Sequence, residues 1–267
     1  MTKTLIPAQR HKRIQEFLEV HHIAPITLLS EMLQVSEATI RRDLEWLENQ
    51  GLLERTHGGA TLNQRLPLEP EYTYSAQAHP DEKRRIGARA AALVEDGDTI
   101  FVNSGTTATQ VIRHIRDKRD VTVITNNIGA ALEAREHSFE LLLLGGSFRS
   151  RANSVAGRFA TEALRQVFAS KAFIGVDGLS PKYGCTTPID AEAEVARLMI
   201  ERTHGSVIVV ADHSKWGIVS NFEMARLDQI HLLVTDEGLN PTAQAELAAR
   251  SIGVLIAGVE PNGRNSG

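Results

Sequence analysis

From residue 81 onward the chain repeats one pattern: a short apolar run, a polar or glycine-bearing break, then a stretch with helical periodicity. The apolar runs lie at 99–102, 121–125, 141–144, 172–176, 207–211, 232–235 and 254–257. Helical patterns lie at 85–94, 108–115, 128–135, 160–168, 191–201 and 242–250. Runs this short and this apolar suit strands covered on both faces, and helices between them make the strands parallel, because each return needs a crossover. The expected fold class is α/β, a doubly wound and mostly parallel sheet, with its ligand crevice at the carboxyl ends of the strands. No apolar run approaches the roughly 18 residues that span a bilayer. The amino terminus lacks the charged-then-apolar pattern of a signal peptide. A single cysteine, Cys185, allows no internal disulfide and no cysteine-based zinc site, and a packed neutral thiol is expected there. These features point to a cytoplasmic chain without membrane contact.

Residues 1–62 have another character. Pro7 can open a helix in which Ile14, Phe17 and Leu18 repeat at helical spacing. Residues 23–25 break it, and a short helix over 27–33 follows with Leu28, Leu29 and Met32 to one side. Ser36 caps a third helix whose buried stripe is Ile40, Leu44 and Leu47, and Gly51 ends it. Two short strands, 52–55 and 60–62, join across His57, Gly58 and Gly59. This order is a winged helix-turn-helix, whose third helix enters the DNA major groove by its amino-terminal end. With Ile40 as the inward direction, Ala38 and Arg42 point outward at about 160–200° and Arg41 lies on a flank at about 100°. Arg41 and Arg42 can reach guanine edges or phosphates; Ser36 and Thr39 can donate at the helix start; Arg55 and His57 on the wing can reach a neighbouring backbone or minor groove. Bulk charge gives no such hint: the chain carries -4, and residues 1–60 hold seven basic residues against eight acidic ones. Prolines at 67, 70 and 80 interrupt residues 63–80, which read as a linker. His21 and His22 have no third ligand nearby, so no metal site and no cofactor is expected.

Ser36-Glu37-Ala38-Thr39-Ile40-Arg41-Arg42-Asp43-Leu44, then Gly51-Leu52-Leu53, then His57-Gly58-Gly59-Ala60, resemble the DeoR family of sugar-responsive bacterial regulators. The likeness runs to about residue 240. It implies an operator-binding repressor, not an enzyme, with DNA contacts at Ser36, Glu37, Ala38, Thr39, Arg41, Arg42, Arg55 and His57. It implies a domain over 81–260 that resembles ribose phosphate isomerase and senses a phosphorylated sugar. Asp43, a carboxylate on the DNA-reading helix, is then expected to turn aside and pair with a basic neighbour. Helix-turn-helix operators mirror protein symmetry, so a homodimer or homotetramer is expected.

Five strand ends carry polar or glycine residues and suggest one shared pocket. Ser104, Gly105, Thr106 and Thr107 form a strand-to-helix turn whose hydroxyls and backbone N–H groups suit a phosphate. Asn126, Gly145, Gly146 and Asp177 stand at three other ends, and Lys215 follows the fifth, where its ammonium can neutralise the anion. The lysine of pentose phosphate isomerases at a similar strand end supports that role by resemblance. Arg149, with Arg151, occupies a loop able to cover the pocket. Glu192 opens a helix, and the resemblance gives it a place at the ligand. The isomerase alternative needs a fuller acidic set than 175–180 supplies, where Asp177 is the one acid.

Overall fold

The structure, a computed structural model, describes residues 6–21, 23–49, 52–56, 58–61, 64–66, 71–133 and 139–258. The amino-terminal unit is α1 (Pro7–His21), β1 (Ile23–Pro25), α2 (Ile26–Leu33), α3 (Glu37–Asn49), β2 (Glu54–Thr56) and β3 (Gly59–Thr61). The residues expected to break α1 do more than that: β1 pairs antiparallel with β3, which pairs in turn with β2, so the wing is three-stranded. Gly59 is needed there, because a Cβ would fall 2.2 Å from the carbonyl oxygen of Ala24. Ile14, Leu18, Ile26, Leu29, Leu33, Ile40, Leu44, Leu47 and Leu53 fill the core. Leu28 and Met32, expected on the apolar side of α2, are exposed instead. The helix starts one residue earlier than expected and turns Ile26, Leu29 and Leu33 inward, spaced three and four apart.

Asp43 closes this unit. It is 5% exposed and receives a fork of two hydrogen bonds from Arg10 of α1, Nε to Oδ2 at 2.6 Å and Nη2 to Oδ1 at 2.9 Å. His11 Nε2 meets the same Oδ1 at 2.9 Å. The carboxylate on α3 thus faces α1 and leaves the outer face of α3 to its other side chains.

Residues 63–80 are more than a plain linker. They hold β4 (Gln64–Leu66) and α4 (Tyr72–Gln77), and Pro80 begins α5 (Pro80–Ala91) at a position where its missing N–H costs nothing. The rest follows as β5 (Thr99–Val102), α6 (Thr106–His114), β6 (Thr122–Thr125), α7 (Ile128–Glu133), β7 (Glu140–Leu143), β8 (Ser147–Arg149), β9 (Ser154–Ala156), α8 (Arg158–Leu164) and β10 (Ala169–Gly175). Then come β11 (Gly178–Ser180), β12 (Gly184–Thr187), α9 (Asp190–Glu201), β13 (Thr203–Val210), β14 (Ile218–Ser220), β15 (Phe222–Ala225), β16 (Leu232–Thr235), α10 (Pro241–Ala248) and β17 (Gly253–Ile256).

Seven strands form one sheet in the order β17-β16-β13-β10-β5-β6-β7, every pair parallel. Each inner strand feeds both faces by the twofold alternation of its side chains. Phe101, Ala172, Ile174, Val207, Val209 and Leu233 pack with α8, α9 and α10. Ile100, Val102, Phe173, Ile208, Val210 and Val234 pack with α5 and α6 on the other side. The chain winds outward from β5 through β6 to β7, then returns beside β5 as β10 and winds the other way. Right-handed crossovers therefore place the helices of the two halves on opposite faces. The short strands β8, β9, β11, β12, β14 and β15, absent from the expected pattern, lie outside this sheet, and β14 pairs with β4.

Asp43→Ala would strand the Arg10 guanidinium in a buried place without its partner. We expect a loss of about 3–5 kcal/mol in the amino-terminal unit alone. Hydrogen exchange should show it as faster exchange in α1 and α3 with the seven-stranded sheet unchanged; uniform protection across both units would refute the assignment.

Candidate effector pocket and nucleic-acid interface

The winding reversal lies between β5 and β10. Their carboxyl ends diverge, and Asn103 bridges them: Gly175 N–H donates to Asn103 Oδ1 at 2.7 Å and Asn103 Nδ2 donates to Gly175 O at 2.9 Å. The side-chain amide continues the ladder for one more step and fixes where the next loop starts. That loop is Ser104 and Gly105, the latter at φ 125° and ψ 156°, a backbone region open essentially to glycine alone. Nothing stands within 4 Å of where its Cβ would be. The backbone is thus bare on its open side at the start of α6, where N–H groups and the helix dipole favour an anion.

A cavity opens over this loop. Ser104, Gly105, Thr106 and Thr107 form its floor, Asp177 and Glu192 one side, and Lys215 another. Lys215 ends a 3-10 turn, His213–Lys215, capped by Asp212, whose Oδ1 accepts the N–H of Ser214 at 3.1 Å. His213 donates to Asp236, which is held down to about 2 by bonds from His213 and Gly238, although burial opposes this. The turn that carries Lys215 is thereby pinned to the end of β16.

Glu192 is 8% exposed, and four groups converge on it. Oε2 accepts from Ser104 Oγ at 2.8 Å and Asn126 Nδ2 at 3.3 Å, while Oε1 accepts from Ser154 Oγ and faces Arg149 Nε at 3.1 Å. Asn126 and Arg149 therefore stand behind Glu192 and support it, instead of lining the cavity as expected. With both oxygens engaged, Glu192 orients the Ser104 hydroxyl. Asp177 accepts from Thr187 Oγ1 at 2.7 Å. Gly145 and Gly146 are exposed and outside the cavity wall. They follow β7, the edge strand, two strand spacings of about 4.8 Å from β5, too far to join the pocket.

Two contributors were missed in the sequence. Lys83, on the first turn of α5, is 4% exposed and lines the cavity. Burial pushes its ammonium down from the usual lysine range and Lys215 adds to this, while Asp212 and Asp177 oppose it. Tyr72 of α4 lines the cavity too, and its hydroxyl meets Thr109 Oγ1 at 3.0 Å. Neither has a local signature: a lysine four residues into a helix reads as solvated surface, and Tyr72 lies in a stretch that reads as linker. Cys185 is fully buried with its thiol pushed up by desolvation, as expected of a packed side chain.

On the DNA-binding unit, Ala38, Arg41 and Arg42 are exposed on the outer face of α3. Arg41 Nη2 lies 3.1 Å from Glu37 Oε2, one turn earlier. Ser36 Oγ accepts the N–H of Thr39 at 3.2 Å and meets its hydroxyl at 3.0 Å, so this pair caps the helix. Arg55 is exposed on β2. His57 lies outside the described residues. On a flank of α3, Trp46 is about half exposed and stacks on His11 with ring centroids 4.4 Å apart, beside Arg42 and Lys12.

These two units match two families. Residues 10–65 match the DeoR-like helix-turn-helix domain, and residues 78–237 match the DeoR C-terminal sensor domain. The HTH-type transcriptional repressor GlcR of Bacillus subtilis is 36% identical over 85% of this chain and 88% of its own. The HTH-type transcriptional regulator GlpR of Haloferax volcanii is 33% identical over 94% of this chain and 98% of its own. The transcriptional repressor AccR of Agrobacterium fabrum is 34% identical over 86% and 89%. Among solved structures, ribose 5-phosphate isomerase A of Methanocaldococcus jannaschii aligns with a TM-score of 0.39 at 18% identity, over 52% of this chain and 55% of that one. The helix-turn-helix, the parallel sheet and the two matched domains together make this chain a member of the DeoR family of helix-turn-helix transcriptional regulators.

Proposed function

We propose that this chain represses a sugar catabolic operon and that a phosphorylated sugar, held between β5 and β10, alters its grip on operator DNA. The division of labour follows the order of the chain: residues 1–62 bind DNA, 63–80 connect, and 81–260 sense. The observation that carries the sensing role is the convergence of a bare glycine-hydroxyl loop, a helix start and the Lys215 ammonium on one cavity. Each favours an anion, and a phosphate uses all three at once. Asp177 can accept a hydrogen bond from a sugar hydroxyl, and Glu192 acts through the Ser104 hydroxyl that it orients. The repressor names of two relatives, GlcR and AccR, support the sign of the regulation.

On the DNA side, Ala38, Arg41 and Arg42 face the major groove, while Ser36, Glu37 and Thr39 set the helix start against the backbone. Arg55 and His57 of the wing reach the flanking backbone or minor groove. The functional unit is a homodimer or homotetramer, which sedimentation of the full chain tests directly: a monomer at operator-binding concentrations would refute it.

Gel-shift titration of the gene's own upstream DNA, with and without a panel of pentose and hexose phosphates, tests the whole reading. Arg42→Ala should weaken specific binding by roughly 1–3 kcal/mol if the guanidinium reads a base edge. If it meets only phosphate, the loss should be uniform across sequences, with a salt slope smaller by about one. Unchanged affinity would remove Arg42 from the groove.

Lys215→Ala should leave folding and operator binding intact, because the side chain lies in the sensor cavity. Effector affinity should fall by about 1.5–3 kcal/mol, the scale of a hydrogen bond to a charged group. The regulator would then stay in its effector-free state at sugar phosphate concentrations that switch the wild type. Release of DNA at the same effector concentration in both proteins would place the phosphate elsewhere.

A further inference from the structure

The helix α4 combines two properties. It lies within the connecting segment, 63–80, and it forms part of the wall of the sensor cavity through Tyr72 and Ser75. None of its residues is buried, and Tyr74 is 72% exposed. Apolar burial, the usual source of docking energy for a short helix, therefore holds it weakly. Three polar ties fix it. Tyr72 N–H donates to Arg151 O at 2.7 Å, in the loop between β8 and β9. Tyr72 Oη meets Thr109 Oγ1 at 3.0 Å, and Thr109 Oγ1 reaches Gly105 O at 2.9 Å, on the glycine of the anion loop. Lys83 Nζ donates to Ser75 O at 2.5 Å.

The third tie is chemically odd. The Lys83 ammonium is buried, stands one turn from the start of α5 where the helix dipole disfavours a cation, and shares its cavity with Lys215. Its hydrogen bond to Ser75 goes to a neutral carbonyl, while Asp212, Glu82 and Asp177 favour the ammonium through space. Each circumstance makes it a cation that a dianion would recruit, since a charge-assisted bond to phosphate is roughly twice as strong as one to a neutral acceptor.

We propose that Lys83 is the second phosphate-binding cation of the pocket, and that a bound phosphate competes with the Ser75 carbonyl for it and so loosens α4. This rests on the reading of the cavity as an anion site and adds the route by which occupancy reaches the connecting segment. The ligand binds the loosened state better because only there is the Lys83 ammonium free to turn to it. That difference in affinity is what a ligand needs to shift an equilibrium. Lys215, on its 3-10 turn, supplies affinity alone; Lys83 supplies affinity and release.

Two measurements on the full chain with inorganic phosphate as the probe test this. Calorimetry gives the phosphate Kd for wild type, Lys83→Gln, Lys83→Arg and Lys215→Ala. Hydrogen exchange gives the protection of the Tyr72, Ser75 and Ala78 amides with and without phosphate. The expected result is a Kd raised about tenfold in Lys83→Gln and in Lys215→Ala, and restored to within about threefold in Lys83→Arg. Phosphate should speed exchange at the three amides in wild type. In Lys83→Gln exchange should already be fast and indifferent to phosphate, whereas Lys215→Ala should start protected. The exchange result in wild type stands whether or not the Lys83 variants fold. Phosphate binding that depends on Lys215 but not on Lys83, with unchanged exchange in α4, would overturn this proposal and leave the anion site standing. Absence of phosphate binding to the wild type would overturn both.

Discussion

A parallel sheet that reverses its winding must leave two neighbouring strands whose continuations depart to opposite faces. In this chain they are β5 and β10, and the gap between their carboxyl ends cannot be closed by backbone pairing alone. Asn103 spans it with two hydrogen bonds to Gly175, a side-chain amide acting as one more rung of the ladder. Everything at the cavity is set out from that rung. The Ser104-Gly105 loop begins immediately beyond it, and α6 starts from that loop. Glu192, reaching in from α9 on the opposite face, takes the hydroxyl of Ser104. The same carboxylate gathers Asn126 from the end of β6, Ser154 from β9 and Arg149 from β8. One buried anion on α9 thus ties together the Ser104 loop, the end of β6, β8 and β9, and Asn126, Ser154 and Arg149 shape the site from outside the cavity lining.

The amino-terminal unit solves a comparable problem with the same kind of group, a buried carboxylate faced by an arginine. Its core is small, and three short helices with a narrow wing bury little apolar surface each. The fork from Arg10 to Asp43 supplies a directional link between α1 and α3 where packing alone leaves rotation free. Pairing inside removes a carboxylate from the face that must approach phosphates. A hydrophobic residue at position 43 would pack as well, but it would not fix the angle of α3 about its axis. The outward direction of Ala38, Arg41 and Arg42 depends on that angle.

The sequence made the seven sheet strands legible to within a few residues, because each reads as a short, mostly apolar run, and the inner ones are buried on both faces. The six short strands outside the sheet were invisible for the complementary reason. Segments such as Ser147–Arg149 and Gly184–Thr187 carry glycine and hydroxyl residues, with neither alternation nor an apolar run to betray them. Ser104, Gly105, Thr106, Thr107, Asp177 and Lys215 could be grouped from their common place at strand ends, and the structure brings them to one cavity. Gly145 and Gly146 obeyed the same rule yet fell outside, since strand-end position says nothing about distance along the sheet and strand order is not written locally. Lys83 and Tyr72 illustrate the converse. They reach the cavity from a helix and from a proline-broken connector, and only the tertiary path of the chain reveals it.

The near balance of charge in the DNA-binding unit bears on how this protein finds its target. Arg41 faces Glu37 on the very helix that reads DNA, and the first 60 residues hold one more acid than base. Hold on an arbitrary duplex then rests on outward cations such as Arg41, Arg42 and Arg55, and it weakens with salt by a log-log slope of about 0.9 for each phosphate that they meet. A genome offers about a million or more such competing sites, and a regulator that lingers at each is diluted away from its own. Acids set beside those cations, as Glu37 is beside Arg41, work against that competition.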